Sequence, residues 1–107
     1  MASFTLLQYQ TDPPYQPTLL DDQGNTFVYT GYAPTNFTLK LYNAVSNTTV
    51  IGAGSFSVDV VNNQLAYQWA ASDTDQAGVW TLYLNVTMLS GFERRYEDTL
   101  YIEPAIA

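Results

Sequence analysis

Asp73 and Asp75 flank a single threonine in the polar run Ser72-Asp73-Thr74-Asp75-Gln76-Ala77-Gly78. Two carboxylates held close together could share acid and base roles on a glycosidic bond, because that chemistry needs only a pair of Asp or Glu. With another loop acid they could hold Ca²⁺ through oxygen ligands. Turn acids such as Asp21, Asp22, Asp73 and Asp75 more commonly bond to nearby backbone N–H groups. Asp73 is therefore expected to cap a short helical turn, with Gly78 bending the backbone before the next strand. Histidine and cysteine are absent and Lys40 is the single lysine. The commonest general base, the commonest metal ligand and the thiol nucleophile are thus all missing. The expectation is a chain with no catalytic residue, no metal and no cofactor.

The aromatic residues offer a different chemistry. Trp69 and Trp80 could stack on a sugar, with Tyr15, Tyr29, Tyr32, Tyr83, Tyr96 and Tyr101 extending the platform toward a host-surface glycan. The strand pattern argues otherwise for the tryptophans. Trp80 shares a face with Leu82 and Leu84, and Trp69 shares one with Leu65, so both are expected in the core. Tyr42 and Tyr83 lie opposite the apolar residues of their strands. An outward tyrosine has an apolar body and a polar tip, which suits a protein interface. Phe4, Leu6 and Tyr15, in the proline-containing segment Met1 to Pro17, complete the candidate partner contacts. That segment reads either as a first strand or as an arm adding to a neighbour's sheet edge.

The charge balance narrows the partners. Ten acids stand against three bases, Lys40, Arg94 and Arg95, for a net charge of −7 over 107 residues. A polyanion is bound by clustered Lys and Arg, so nucleic acid is excluded as an expected partner, and an anionic membrane surface is disfavoured. No apolar run approaches the ~20 residues of a membrane-spanning helix. Met1 to Gln8 lacks the basic start and long apolar stretch of a targeting signal.

The elements that must position these residues are strands. Nine Tyr, five Phe and two Trp, with abundant Thr and Val, suit a pleated, half-buried surface. Ser3 to Tyr9, Thr18 to Leu20 and Thr26 to Tyr29 read as extended. Asn36 to Tyr42 alternates, with Phe37, Leu39 and Leu41 on one face. Ser55 to Val60, Leu65 to Trp69, Val79 to Leu89 and Phe92 to Glu103 follow. Turn signals separate them at Asp21 to Asn25, Gly52 to Gly54, Asn62-Asn63 and Ser90-Gly91. The pattern predicts one all-β domain over residues 1–107, an immunoglobulin-like β-sandwich of seven to nine antiparallel strands.

The run from Leu65 to Trp80 resembles a recurring pattern of tailed-phage proteins. In it an aromatic-x-Trp strand leads into Asp-Thr-x-x-Ala-Gly-x-aromatic, here Asp73 to Trp80, with Trp80 where Tyr is common. A strand, a hairpin and a final strand follow, here Leu82 to Ile102. Pro14 to Asn25 is similar to the family's Pro-x-x-x-x-Leu-x-Asp-x-x-Gly-Asn. The family is the N-terminal domain of the phage baseplate upper protein and related immunoglobulin-like virion domains. The resemblance implies a non-enzymatic structural protein located in the virion, a capsid decoration or a tail or baseplate accessory subunit. Its partners would be other virion proteins and further copies of itself, in a homo-oligomer or multi-copy array. A carbohydrate- or receptor-binding module for host adhesion is the alternative.

Overall fold

A computed structural model describes residues 3–21 and 23–105. Asp22 and the first two residues of the N-terminal segment, Met1 and Ala2, lie outside the described residues. Among the described residues seven strands form: β1 (Ser3–Leu7), β2 (Phe37–Asn43), β3 (Thr48–Ile51), β4 (Ser55–Asp59), β5 (Gln64–Gln68), β6 (Gly78–Thr87) and β7 (Glu93–Glu103). Two short 3-10 turns, Pro34–Asn36 and Ala71–Thr74, join them. The larger sheet has the order β1-β7-β6-β2-β3, and β4 pairs with β5 in the second layer.

Alternation decides which side chains meet between the layers. On β6, Trp80, Leu82, Leu84 and Val86 are buried, and on β2 so are Phe37, Leu39 and Leu41. Their register places Leu39 beside Leu84 and Leu41 beside Leu82. Fully burying a leucine-sized side chain is worth about 1.5–3 kcal/mol, so this double row fixes the register of the sheet centre. A one-residue slip would turn the whole row into water. Leu65, Tyr67 and Trp69 close the core from the opposite layer.

The second layer extends beyond its two named strands. Tyr15 exchanges backbone hydrogen bonds with Tyr67 at 2.9 and 2.8 Å, and Phe27 N–H donates to the Leu19 carbonyl at 3.0 Å. The extended readings of Thr18 to Leu20 and Thr26 to Tyr29 therefore survive as a single bridge between them, Leu20 to Thr26, and a separate bridge joins Tyr15 to Tyr67. Pro17 explains why no ladder grows: continuing the register puts it opposite Leu65, and it has no N–H to donate. The Asn63 side chain ties the Phe27 to Tyr29 segment to the turn before β5. Its Oδ1 accepts from Tyr29 N–H at 3.0 Å, and its Nδ2 donates to the Phe27 carbonyl at 2.9 Å.

One expectation of the strand pattern is corrected. β1 runs parallel to β7, with Phe4 beside Leu100 and Leu6 beside Ile102, so the sandwich is not wholly antiparallel. No hairpin ties these two strands, which removes the geometric demand for reversal. After β1 the chain passes through the second layer at Tyr15 before it returns to the larger sheet at β2.

Candidate functional site

The outward face of the larger sheet holds the candidate contact surface. Two cross-sheet rows define its middle. One runs Ile51, Lys40, Tyr83, Glu97, and the next runs Thr49, Tyr42, Thr81, Thr99, Ser3. Tyr83 is half-buried, and the Arg95 guanidinium carbon stands 4.6 Å from its ring centroid. Arg95 also pairs with Glu97 at 3.3 Å. Tyr42 is half-buried, and its hydroxyl donates to Oδ1 of Asn47 at 3.1 Å. Both rings lie among Thr, Lys, Arg and Glu, so each offers apolar area framed by polar groups.

The structure moves three candidate contacts out of this surface. Leu6 and Tyr15 are 3% and 1% exposed, which removes both as partner contacts. Phe4 is half-buried against the core, edge-on to Tyr15 with centroids 5.0 Å apart. The reason is the period of two along β1: Phe4 and Leu6 turn inward beside Leu100 and Ile102, and Leu7 turns outward. Tyr29, part of the glycan platform envisaged from sequence, is also in the core. The surface gains two residues outside the candidate contacts. Val79 and Tyr101 are cross-strand neighbours, 55% and 43% exposed, and they line a shallow hollow with Thr5, Ala77 and Pro104. Their outward parity could have been read from Trp80 and Leu100, which face the other way.

The Asp73 to Trp80 motif is structural. Trp69 and Trp80 are buried, and their indole N–H groups donate to the carbonyls of Pro13 and Gln76, each at 3.1 Å. Asp73 is buried and accepts three hydrogen bonds. Oδ1 takes Ala53 N–H at 2.8 Å; Oδ2 takes the Tyr67 hydroxyl at 2.6 Å and Ala70 N–H at 3.0 Å. The expected cap is corrected in kind: Asp73 sits at the third position of the turn Ala71–Thr74, not at its N-cap, and its carboxylate holds the N–H of the N-cap residue Ala70. The Asp75 side chain is exposed, and its backbone carbonyl accepts from Gln8 Nε2 at 2.6 Å. Gly78 has φ +142, and a Cβ there would press on the Asn43 side chain at 3.0 Å. Asp73 and Asp75 thus do not converge on a shared site, and no group of three potential metal ligands occurs among the described residues.

A second buried carboxylate escaped the sequence reading. Asp98 is 9% exposed and accepts from the Tyr15 hydroxyl. Its signal was its parity: on β7 it faces inward with Leu100 and Ile102, and a buried acid requires a donor. Burial first, and then the hydrogen bond to Asp98, pushes the Tyr15 phenol well above its ordinary range. Burial and then the bond to Asp73 raise Tyr67 in the same way. Burial, with Tyr96 nearby, raises Tyr29 to about 12. All three therefore stay protonated and act as fixed donors or packing groups through the neutral pH range.

No family model matches the chain, and no curated protein matches it significantly. Among solved structures, CopC from Methylosinus trichosporium OB3b is similar at 8% identity and a TM-score of 0.47, covering 70% of this chain and 69% of that one.

Proposed function

We infer that this chain is a non-enzymatic structural module of a tailed-phage virion, docked on capsid or tail proteins through the outward face of its larger sheet. The observation that carries the reading is the placement of Tyr42 and Tyr83 in adjacent rows of one face, with Tyr101 further along it. Tyrosines set in a polar frame are the residue type on which interface energy concentrates. The similarity of Asp73 to Trp80 to the virion pattern adds the choice of assembly. Many copies on a symmetric particle would multiply weak single contacts into avidity. The alternative of host-glycan recognition is weakened, because Tyr15 and Tyr29 of that platform are core residues.

The test is the protein composition of purified particles. The module is expected there at a fixed copy number, and Tyr83→Ala is expected to lower it. A chain found free in lysates and absent from intact particles would overturn the reading.

A further inference from the structure

We propose that β3 is a self-association edge, at which a second copy of this chain adds its own β3 in antiparallel register about a two-fold axis at Val50. The inference does not depend on the virion reading, because it concerns the purified chain alone.

β3 ends the larger sheet, and no strand among the described residues pairs beyond it. Its hydrogen-bonding direction follows from one contact. Gly52 N–H donates to the Leu39 carbonyl at 2.8 Å, in continuation of the β2–β3 register. Antiparallel ladders alternate bonded and non-bonded pairs. Val50 and Thr48 therefore bond to Leu41 and Asn43 of β2. Thr49 and Ile51 turn their N–H and C=O groups outward. In a two-fold pair centred on Val50, Thr49 of one copy faces Ile51 of the other, and four backbone hydrogen bonds form. The next register fails on this chain: it would use Asn47, whose φ is +52, or Ala53, whose N–H is already held by Asp73.

The edge is short, at four residues, and carries no protective side chain. Sheet edges are commonly blunted by Lys, Pro, inward charges or bulges, whereas β3 is Thr48-Thr49-Val50-Ile51, with Ile51 66% exposed. Charge selects the occupant. The chain has a net charge of −7, yet residues 23–58 contain no acid, and Lys40 is their single charge. Two copies that meet at β3 therefore join through a segment that carries no acid of its own, and the nearby Asp73, held by Ala53 N–H, is buried. Across the joined sheet the two β2 strands lie about three strand spacings apart, roughly 14 Å. At that distance the two Lys40 charges are screened at physiological ionic strength.

The chain has no cysteine, so engineered thiols report the register directly. In the proposed pair Val50 faces its own copy at a non-bonded position, with Cα atoms about 4.5 Å apart, within disulfide reach. In a glutathione redox buffer Val50→Cys is expected to cross-link at least about tenfold faster than Thr49→Cys, whose copies lie too far apart. A mixture of Thr49→Cys and Ile51→Cys, both at exposed positions, is expected to give the mixed dimer. Adding Ile51→Lys to Val50→Cys is expected to abolish the product. Equal cross-linking of Thr49→Cys and Val50→Cys, or a folded Val50→Cys that stays monomeric with no mixed dimer from the exposed pair, would overturn the proposal.

Discussion

The Tyr67 hydroxyl donates a 2.6 Å hydrogen bond to Oδ2 of Asp73, and the same hydroxyl oxygen accepts the backbone N–H of Gly54 at 2.8 Å. The chain passes from β3 in one layer to β4 in the other through Gly52, Ala53 and Gly54. Tyr67 and Asp73 together bind this crossover to β5 and to the turn Ala71–Thr74. The geometry of the sandwich corner thus rests on one phenol and one carboxylate, both withdrawn from solvent.

Tyr67→Phe keeps the ring and removes both bonds of the hydroxyl. The expected loss is about 1–3 kcal/mol, the cost of leaving buried polar groups unpaired. Asp73→Ala strands three donors and is expected to cost more. Urea denaturation, read as a fall in the midpoint at unchanged slope, measures both.

Gly54→Ala tests the closeness of the crossover. A Cβ there would collide with the Gln68 carbonyl oxygen and approach the Tyr67 ring to 2.9 Å. Backbone cannot move aside as a side-chain tip can, so a loss of about 3 kcal/mol is expected. A thermal midpoint equal to that of the parent chain would contradict the crossover geometry.

Alkaline pH is expected to unfold the domain. Tyr15, Tyr29 and Tyr67 have phenols raised by burial. The protonated form is favoured in the folded state, so the stabilisation is complete below the ordinary phenol value, near 10. It is lost as pH climbs from there through about 12, the raised value of Tyr29. Phenolate absorbance and circular dichroism, recorded together, are expected to show these tyrosines ionising only as the fold is lost. Ionisation of all tyrosines with the spectrum of the fold intact would contradict it.

Tyr83→Ala separates docking from folding. The ring is half-buried on the outward face, and its contact with Arg95 is worth about 0.5–1 kcal/mol at an exposed site. Stability is expected to fall by no more than about 1–2 kcal/mol. Retention on particles is expected to drop by at least about tenfold, as for an interface anchor. Unchanged retention would remove this face from the docking role.

Much of the fold was legible because period-two patterning is a local property. Phe37, Leu39 and Leu41, and Trp80, Leu82, Leu84 and Val86, declare their inward face by spacing alone, and they are buried as the spacing requires. That Asp73 would bond to the backbone of its own turn was legible for the same reason, since Ala70 is three residues away, although it does so from inside the turn and not as its N-cap. Tyr15 was misjudged because proline content marked its segment as a crossing arm. Yet Tyr15, Pro17 and Leu19 alternate with Gln16 and Thr18 in the same rhythm, and all three are buried.

The sequence by itself determined which residues alternate, where the turns fall and that two layers must enclose the tryptophans, because each follows from neighbours within a few positions. Tertiary structure alone decided the parallel pairing of β1 with β7, and the union of Tyr15 with Asp98 across 83 positions of chain. It also decided that Tyr42 and Tyr83 share one face while Leu6 leaves it. Alternation gives each side chain one of two faces, and only the packing of distant strands says which face meets water.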